Sequence, residues 1–201
     1  MIKDQIAVHI RPSGIAPFGS WSVAMLAVIV ACALSGVGVA QAATTTAPPP
    51  AKPVDASRLF AGQWIEIGRR PMKLTDGCVA GGTRYTPGEG TRIAVLDTCH
   101  EKTPSGKLKS IRGPGTILDP GTNTKLHVEY KFLGVIRVGR DYWVLDHDEA
   151  YTWFISANPK FSDLWIYTRA TRPDPALVQL LVMKAKTMGY DVSKLEFPTQ
   201  P

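Results

Sequence analysis

From Arg58 onward, apolar and polar residues alternate with a period of two in one segment after another. Leu126, Val128, Tyr130 and Phe132 are apolar while His127, Glu129 and Lys131 between them are polar, the pattern of a strand with one buried face. Strand-like runs also occupy Gly62 to Arg69, Cys78 to Tyr85, Arg92 to Cys99, Lys107 to Leu118, Tyr142 to His147, Tyr151 to Ser156 and Leu164 to Arg169. Turn residues separate them: Thr86-Pro87-Gly88-Glu89-Gly90-Thr91, Asp119-Pro120-Gly121-Thr122-Asn123, Asp148-Glu149-Ala150 and Asn158-Pro159. Connections this short predict an antiparallel meander. Eight such strands suffice for an all-β, up-and-down barrel, which has no free edge and can hold one small ligand.

The period changes once. Leu177, Leu180, Leu181, Ala185 and Met188 recur at helical spacing, Asp174 and Pro175 suit the start, and Gly189 suits the stop. One helix is therefore expected to pack by one face on the outside of the barrel. Leu195-Glu196-Phe197 reads as a short returning strand, and the tail after it as frayed.

Residues 1–42 have a different composition. Lys3 and Arg11 lie in a tail that precedes an apolar stretch from Val23 to Ala40 and then Ala40-Gln41-Ala42, which reads as a signal peptide cut before Ala43. Two alternatives stay open: an uncleaved anchor, and a lipobox at Ile29-Val30-Ala31-Cys32 that would lipidate Cys32. Residues 43–57 begin with Ala, Thr and Pro and read as an extended tether, leaving 58–201 as the folded domain. Charge is scattered through the chain, with a net +6 and no run of five like charges. That argues against a nucleic-acid partner. Oligomeric state is not readable from the sequence.

Only Cys78 and Cys99 follow the leader, and an even pair in an exported chain suggests a disulfide. If Thr86 faces Thr91 across the turn, Cys78 falls directly opposite Cys99, within bridging reach.

Phe60-Ala61-Gly62-Gln63-Trp64-Ile65-Glu66-Ile67-Gly68-Arg69 carries a Gly-x-Trp signature, Asp148-x-x-Tyr151 a second motif, and Leu164-Trp165-Ile166-Tyr167-Thr168-Arg169 a third. With the helix and Gly189-Tyr190-Asp191-Val192-Ser193-Lys194 after them, these resemble the bacterial outer-membrane lipocalins, which are apolipoprotein D-like. The resemblance covers Leu59 to Pro201. It implies a calyx for a hydrophobic ligand, with Gly62, Trp64 and Arg169 as structural residues where the barrel closes. There a guanidinium over the indole face would add a cation–π contact.

If Arg169 points inward, alternation brings Tyr167 and Trp165 inward and turns Ile166 and Thr168 outward. Leu126, Val128 and Tyr130 must face in, since charges occupy the other face of their strand. The resemblance adds Thr83, Tyr85, Ala94 and Leu96 on the hairpin, and Tyr142 and Val144 on the later strand, as ligand-binding positions. Cys78 and Cys99 would then lie outside. Phe132 to Arg140, including Leu133 to Val138, reads either as a mouth loop meeting lipid or as a strand extension with solvated arginines.

No catalytic motif is present, and neither a cofactor nor a metal site is expected. His100, His127 and His147 are isolated and read as surface residues. Asp146, Asp148 and Glu149 read as solvated or capping groups. Glu66 is the one carboxylate that alternation places inside; it needs a partner, for which Arg92 and Arg169 are candidates. The expectation is a non-enzymatic periplasmic carrier of a fatty acid or lysophospholipid, with possible peripheral contact to the outer membrane. A filled barrel acting through its surface and a lipid-modifying enzyme are the alternatives.

Overall fold

The structure, a computed structural model, describes residues 46–132 and 135–201. The readings of residues 1–42, the cut before Ala43, Cys32 and Leu133–Gly134 lie outside the described residues. Eight strands follow one another: β1 (Gly62–Arg69), β2 (Cys78–Pro87), β3 (Arg92–Glu101), β4 (Leu108–Ile117), β5 (Lys125–Phe132), β6 (Ile136–His147), β7 (Trp153–Ala157) and β8 (Leu164–Thr168). Each pairs antiparallel with the next, and β8 returns to β1, so the barrel is closed. β6 begins well before Tyr142: Phe132 faces Ile136 and Tyr130 faces Val138, making the Gly-hinged stretch the arms of a long hairpin.

Alternation along the strands sorts the apolar residues into two cores. Trp64, Leu126, Val128, Val144 and Phe154 pack inside the barrel. Ile155, Leu164 and Ile166 point outward, where they meet Leu181 and Ala185 of a helix, Pro175–Thr187. Asp174 caps that helix by accepting from the Ala176 amide. Leu181 and Ala185 are buried and the partly buried Leu177 and Met188 continue their stripe, whereas Leu180 is exposed, contrary to expectation, because it falls one position to the side of that stripe. Lys184 reaches the buried Asp146 at 2.8 Å and ties the helix to β6.

The barrel is sealed at the end where β1 starts. A short helix, α1 (Ala56–Leu59), buries Leu59 and Phe60 there, and the Trp64 indole N–H donates to the Leu59 carbonyl at 2.8 Å. The Arg169 guanidinium lies 3.5 Å above the Trp64 ring. It donates to the carbonyls of Ala61, Gln63 and Arg58 at 2.9, 2.7 and 2.9 Å. Gly62 takes a φ of +71° beneath it, a conformation that disfavours any residue with a Cβ.

Three sequence readings are corrected by packing. The described part of the tether is extended but docked: the amides of Ala47, Ala51 and Val54 donate to carbonyls of Pro159, Leu145 and Thr122, and Ala47 and Val54 are buried. The carboxy-terminal tail is not frayed, because Glu196 bridges Arg69, the Ala80 amide donates to the Thr199 carbonyl, and Gln200 donates to the Glu66 carbonyl. His147 is buried, not on the surface. Its ring nitrogens meet the carbonyls of Asp148 and Pro53, and its face stacks on Tyr151.

Replacing Arg169 by Ala is expected to lower the unfolding free energy by about 2–4 kcal/mol, the scale of losing charge-assisted hydrogen bonds together with a cation–π contact. Arg169→Lys should recover less than half of this, since an ammonium lacks the planar fork. Urea unfolding of the three proteins measures both effects.

Candidate functional site

Above the Trp64 floor the barrel contains a cavity of about 510 Å³. Of the residues expected to face a ligand, Tyr85, Val128, Tyr130, Tyr142, Trp165 and Tyr167 line it. Thr83, Leu126 and Val144 are buried but do not border it; Leu126 and Val144 belong to the inner core, and Thr83 sits opposite Trp64 in the ladder.

Ala94 and Leu96 are corrections. The hairpin was expected to pair Thr86 with Thr91, but Thr86 faces Ala94, Tyr85 faces Val95 and Thr83 faces Asp97. An odd slip in register turns every side chain of a strand to its other face. Ile93, Val95 and Asp97 therefore point inward, Ala94 is exposed, and Leu96 turns away from the cavity. The slip arises because the turn is centred later than expected: the Gly88 amide closes it on the Arg92 carbonyl, which puts Gly90, with its positive φ, at the apex.

The Cys78–Cys99 disulfide is present, with a Cα separation of 5.5 Å, although the ladder differs from the one that suggested it. The slipped register alone would set Cys78 opposite Lys102; an irregularity between Val79 and Gly82 moves it one place, opposite Glu101 and onto the same face as Cys99. With β3 turned over, both cysteines border the cavity and do not lie outside. Gly82 is required at this irregularity, since a Cβ there would lie 2.3 Å from the Trp64 carbonyl oxygen.

Glu66 does face inward, but its partner is neither Arg92 nor Arg169. A bulge between Glu66 and Gly68 shifts the alternation, so Arg69 also turns in and donates to Glu66 at 2.6 Å. Arg69 donates further to Glu196 at 2.6 Å and to the carbonyls of Cys78 and Thr75 at 2.8 and 3.2 Å. Burial pushes the Glu66 carboxyl above its usual range, against the opposing pull of the guanidinium.

Asp97 was not foreseen. Its carboxylate accepts from the Tyr130 hydroxyl at 2.6 Å, and the Tyr142 hydroxyl follows at 3.3 Å from that of Tyr130. Burial raises the Asp97 pKa, only partly offset by the Tyr130 hydrogen bond. The sequence signal was a lone acid within Ile93-Ala94-Val95-Leu96-Asp97, legible only once the register is known. Aromatic rings complete the wall: Tyr142 and Trp165 lie 5.2 Å apart, and Tyr167 stacks at 4.6 Å on Phe154 below the cavity. Lys109, Lys131 and Arg140 contribute to the lining, and the side chains of Met72, Leu74 and Phe132 add apolar surface toward the open end. The arrangement offers an aromatic interior with a few fixed polar groups, which is what small-molecule recognition needs.

Comparisons with known proteins agree with this geometry. A family model described as a lipocalin-like domain matches residues 54–200. Temperature-induced lipocalin-1 of Arabidopsis thaliana is 34% identical over 142 residues, which span 68% of this chain and 74% of the plant protein. Insecticyanin from the tobacco hornworm Manduca sexta superposes with a TM-score of 0.58 at 22% identity, over 77% of this chain and 86% of that one. Lobster apocrustacyanin A1 gives 0.54 at 14%, over 78% and 92%. The two solved structures speak to the fold alone.

Reducing the disulfide, or replacing both cysteines by Ala, is expected to cost about 3 kcal/mol for a loop of this length in the chain-entropy model; denaturant unfolding with and without a reductant measures it. A second expectation concerns pH. A carboxyl whose folded pKa is raised leaves stability intact below its unfolded value, near 3.8 for Asp97, and removes it as pH rises through the folded value. Asp97→Asn should therefore match the native chain in stability near pH 3.5 and exceed it at pH 8, by thermal unfolding across the range.

Proposed function

The chain belongs to the lipocalin-like domain family, whose members bind small hydrophobic ligands, and we propose that it carries or stores a fatty acid or lysophospholipid in the envelope of a bacterium. The observation that carries this reading is the cavity of about 510 Å³, aromatic within and bordered by Lys109, Lys131 and Arg140. An acyl chain fits the apolar interior while its carboxylate or phosphate meets the cations. Burial of the chain contributes about 0.8 kcal/mol per methylene, so tight binding needs no catalytic group. Family members are generally binding proteins and not enzymes, and the interior carboxyls are engaged by Arg69 and Tyr130.

Export to the periplasm, with cleavage before Ala43 or lipidation of Cys32, accords with the disulfide, a bond that persists in oxidising compartments. The three sequence motifs favour the outer-membrane branch of the family. Peripheral contact with that membrane is part of the same proposal: Leu74, Val135 and Ile136 are each 50% exposed or more on the loops and strand ends beside Lys73, Lys131 and Arg137. Apolar tips flanked by cations suit an anionic lipid surface.

Native mass spectrometry of protein taken from periplasm without detergent, followed by lipid analysis, tests the reading. A stoichiometric acyl lipid supports it; apo protein that takes up no added lysophospholipid overturns it. In a fatty-acid series, affinity is expected to rise about fourfold per methylene until the cavity is full. Val128→Phe, which fills the cavity from a fully buried position, should lower the affinity at least about tenfold while the circular dichroism spectrum stays unchanged.

A further inference from the structure

A hydrocarbon chain has no group that answers the acids of this cavity. Its lining carries two carboxyls, Glu66 and Asp97, and two guanidinium groups, Arg69 and Arg140. Arg69 is committed: it holds Glu66 and Glu196 and two backbone carbonyls. Asp97 has no cationic partner among the described residues, and its one hydrogen bond comes from Tyr130. Asp97 is thus the acid of the cavity left without an ion pair, whereas Glu66 is held by Arg69.

What surrounds Asp97 suits a cation. One carboxylate oxygen accepts from Tyr130, which leaves further acceptor positions on the group. Asp97 borders the cavity, as do the rings of Tyr142, Trp165 and Tyr167. A carboxylate next to aromatic faces is the combination that holds an ammonium, through a charge-assisted hydrogen bond and cation–π attraction together. The Tyr142 hydroxyl, 3.3 Å from that of Tyr130, continues the polar line along the wall.

We propose a second ligand class for the same cavity: protonated hydrophobic amines, with the nitrogen seated between Asp97 and the rings of Tyr142 and Trp165. Lys109, opposite Cys99 and so beyond Asp97 toward the open end, leaves any anionic group of such a molecule on the outer side. The inference rests on the reading that the cavity accepts an apolar chain, and goes beyond it by assigning the charge that the interior selects.

The test compares dodecylamine, 1-dodecanol and dodecanoate, which share one chain length, by displacement of a fluorescent apolar probe from the purified protein at neutral pH and fixed ionic strength. Dodecylamine is expected to bind about tenfold more tightly than dodecanol, the gain typical of a charge-assisted over a neutral hydrogen bond. In Asp97→Asn that preference should vanish while dodecanol binding persists, so the alcohol also reports that the variant is folded. Equal affinity of amine and alcohol in the native chain, or a preference that survives Asp97→Asn, overturns the inference and leaves the acyl-carrier reading standing if dodecanoate binds. Binding of none of the three removes both. The comparison in the native chain decides the matter even if the variant does not fold.

Discussion

Arg169 follows β8 at the place where the sheet must meet its own first strand, and its guanidinium is shared among the carbonyls of Arg58, Ala61 and Gln63 and the face of Trp64. Those carbonyls belong to the chain entering the barrel, where it passes from α1 into β1 and its backbone groups lie partly outside the ladder. One planar group with several donors satisfies them together and presses on the ring that forms the floor. The inner core, from Trp64 through Phe154 to Tyr167, is stacked on that floor. The depth of the cavity is therefore set from the sealed end.

The other end is arranged by irregularities in the ladder. The bulge between Glu66 and Gly68 brings Arg69 inside, where it gathers the β1–β2 connection through Thr75, the start of β2 through Cys78, and the carboxy-terminal segment through Glu196. The irregularity between Val79 and Gly82 brings Cys78 toward Cys99. Both sites thus spend regular pairing on pinning the open end, where loops alone would leave it loose. The result is a change of polarity along the axis: an apolar aromatic floor, a middle layer with Glu66, Asp97, Arg140 and three tyrosines, and Lys109 toward the mouth.

That middle layer explains why the cavity is not a simple oil-filled barrel. A carboxyl placed among rings costs free energy unless it is paired or protonated, and the two acids meet this cost differently. Glu66 has a guanidinium; Asp97 has a phenol hydroxyl and borders open cavity. Such a difference gives a binding site its selectivity, because the group with unspent capacity is the one a ligand can answer.

Alternation, turn residues and the Gly-x-Trp and terminal Arg motifs determined the strands, their antiparallel order, the outer helix and the residues at the sealed end, since these depend on local patterning and on spacing along the chain. Strand faces with charges on one side, such as Leu126 to Phe132, were equally legible, as were Trp165 and Tyr167 from the placing of Arg169. The tertiary structure alone decided what depends on register. A turn centred on Gly90, later than its residues suggest, carried β3 through an odd slip, exchanging Ala94 and Leu96 for Val95 and Asp97, and two bulges decided that Arg69 and the disulfide belong to the cavity. A strand's own sequence carries its period of two, but which of its two faces lies inside is fixed by hydrogen bonds to neighbours, and a single extra residue in a turn or ladder reverses it.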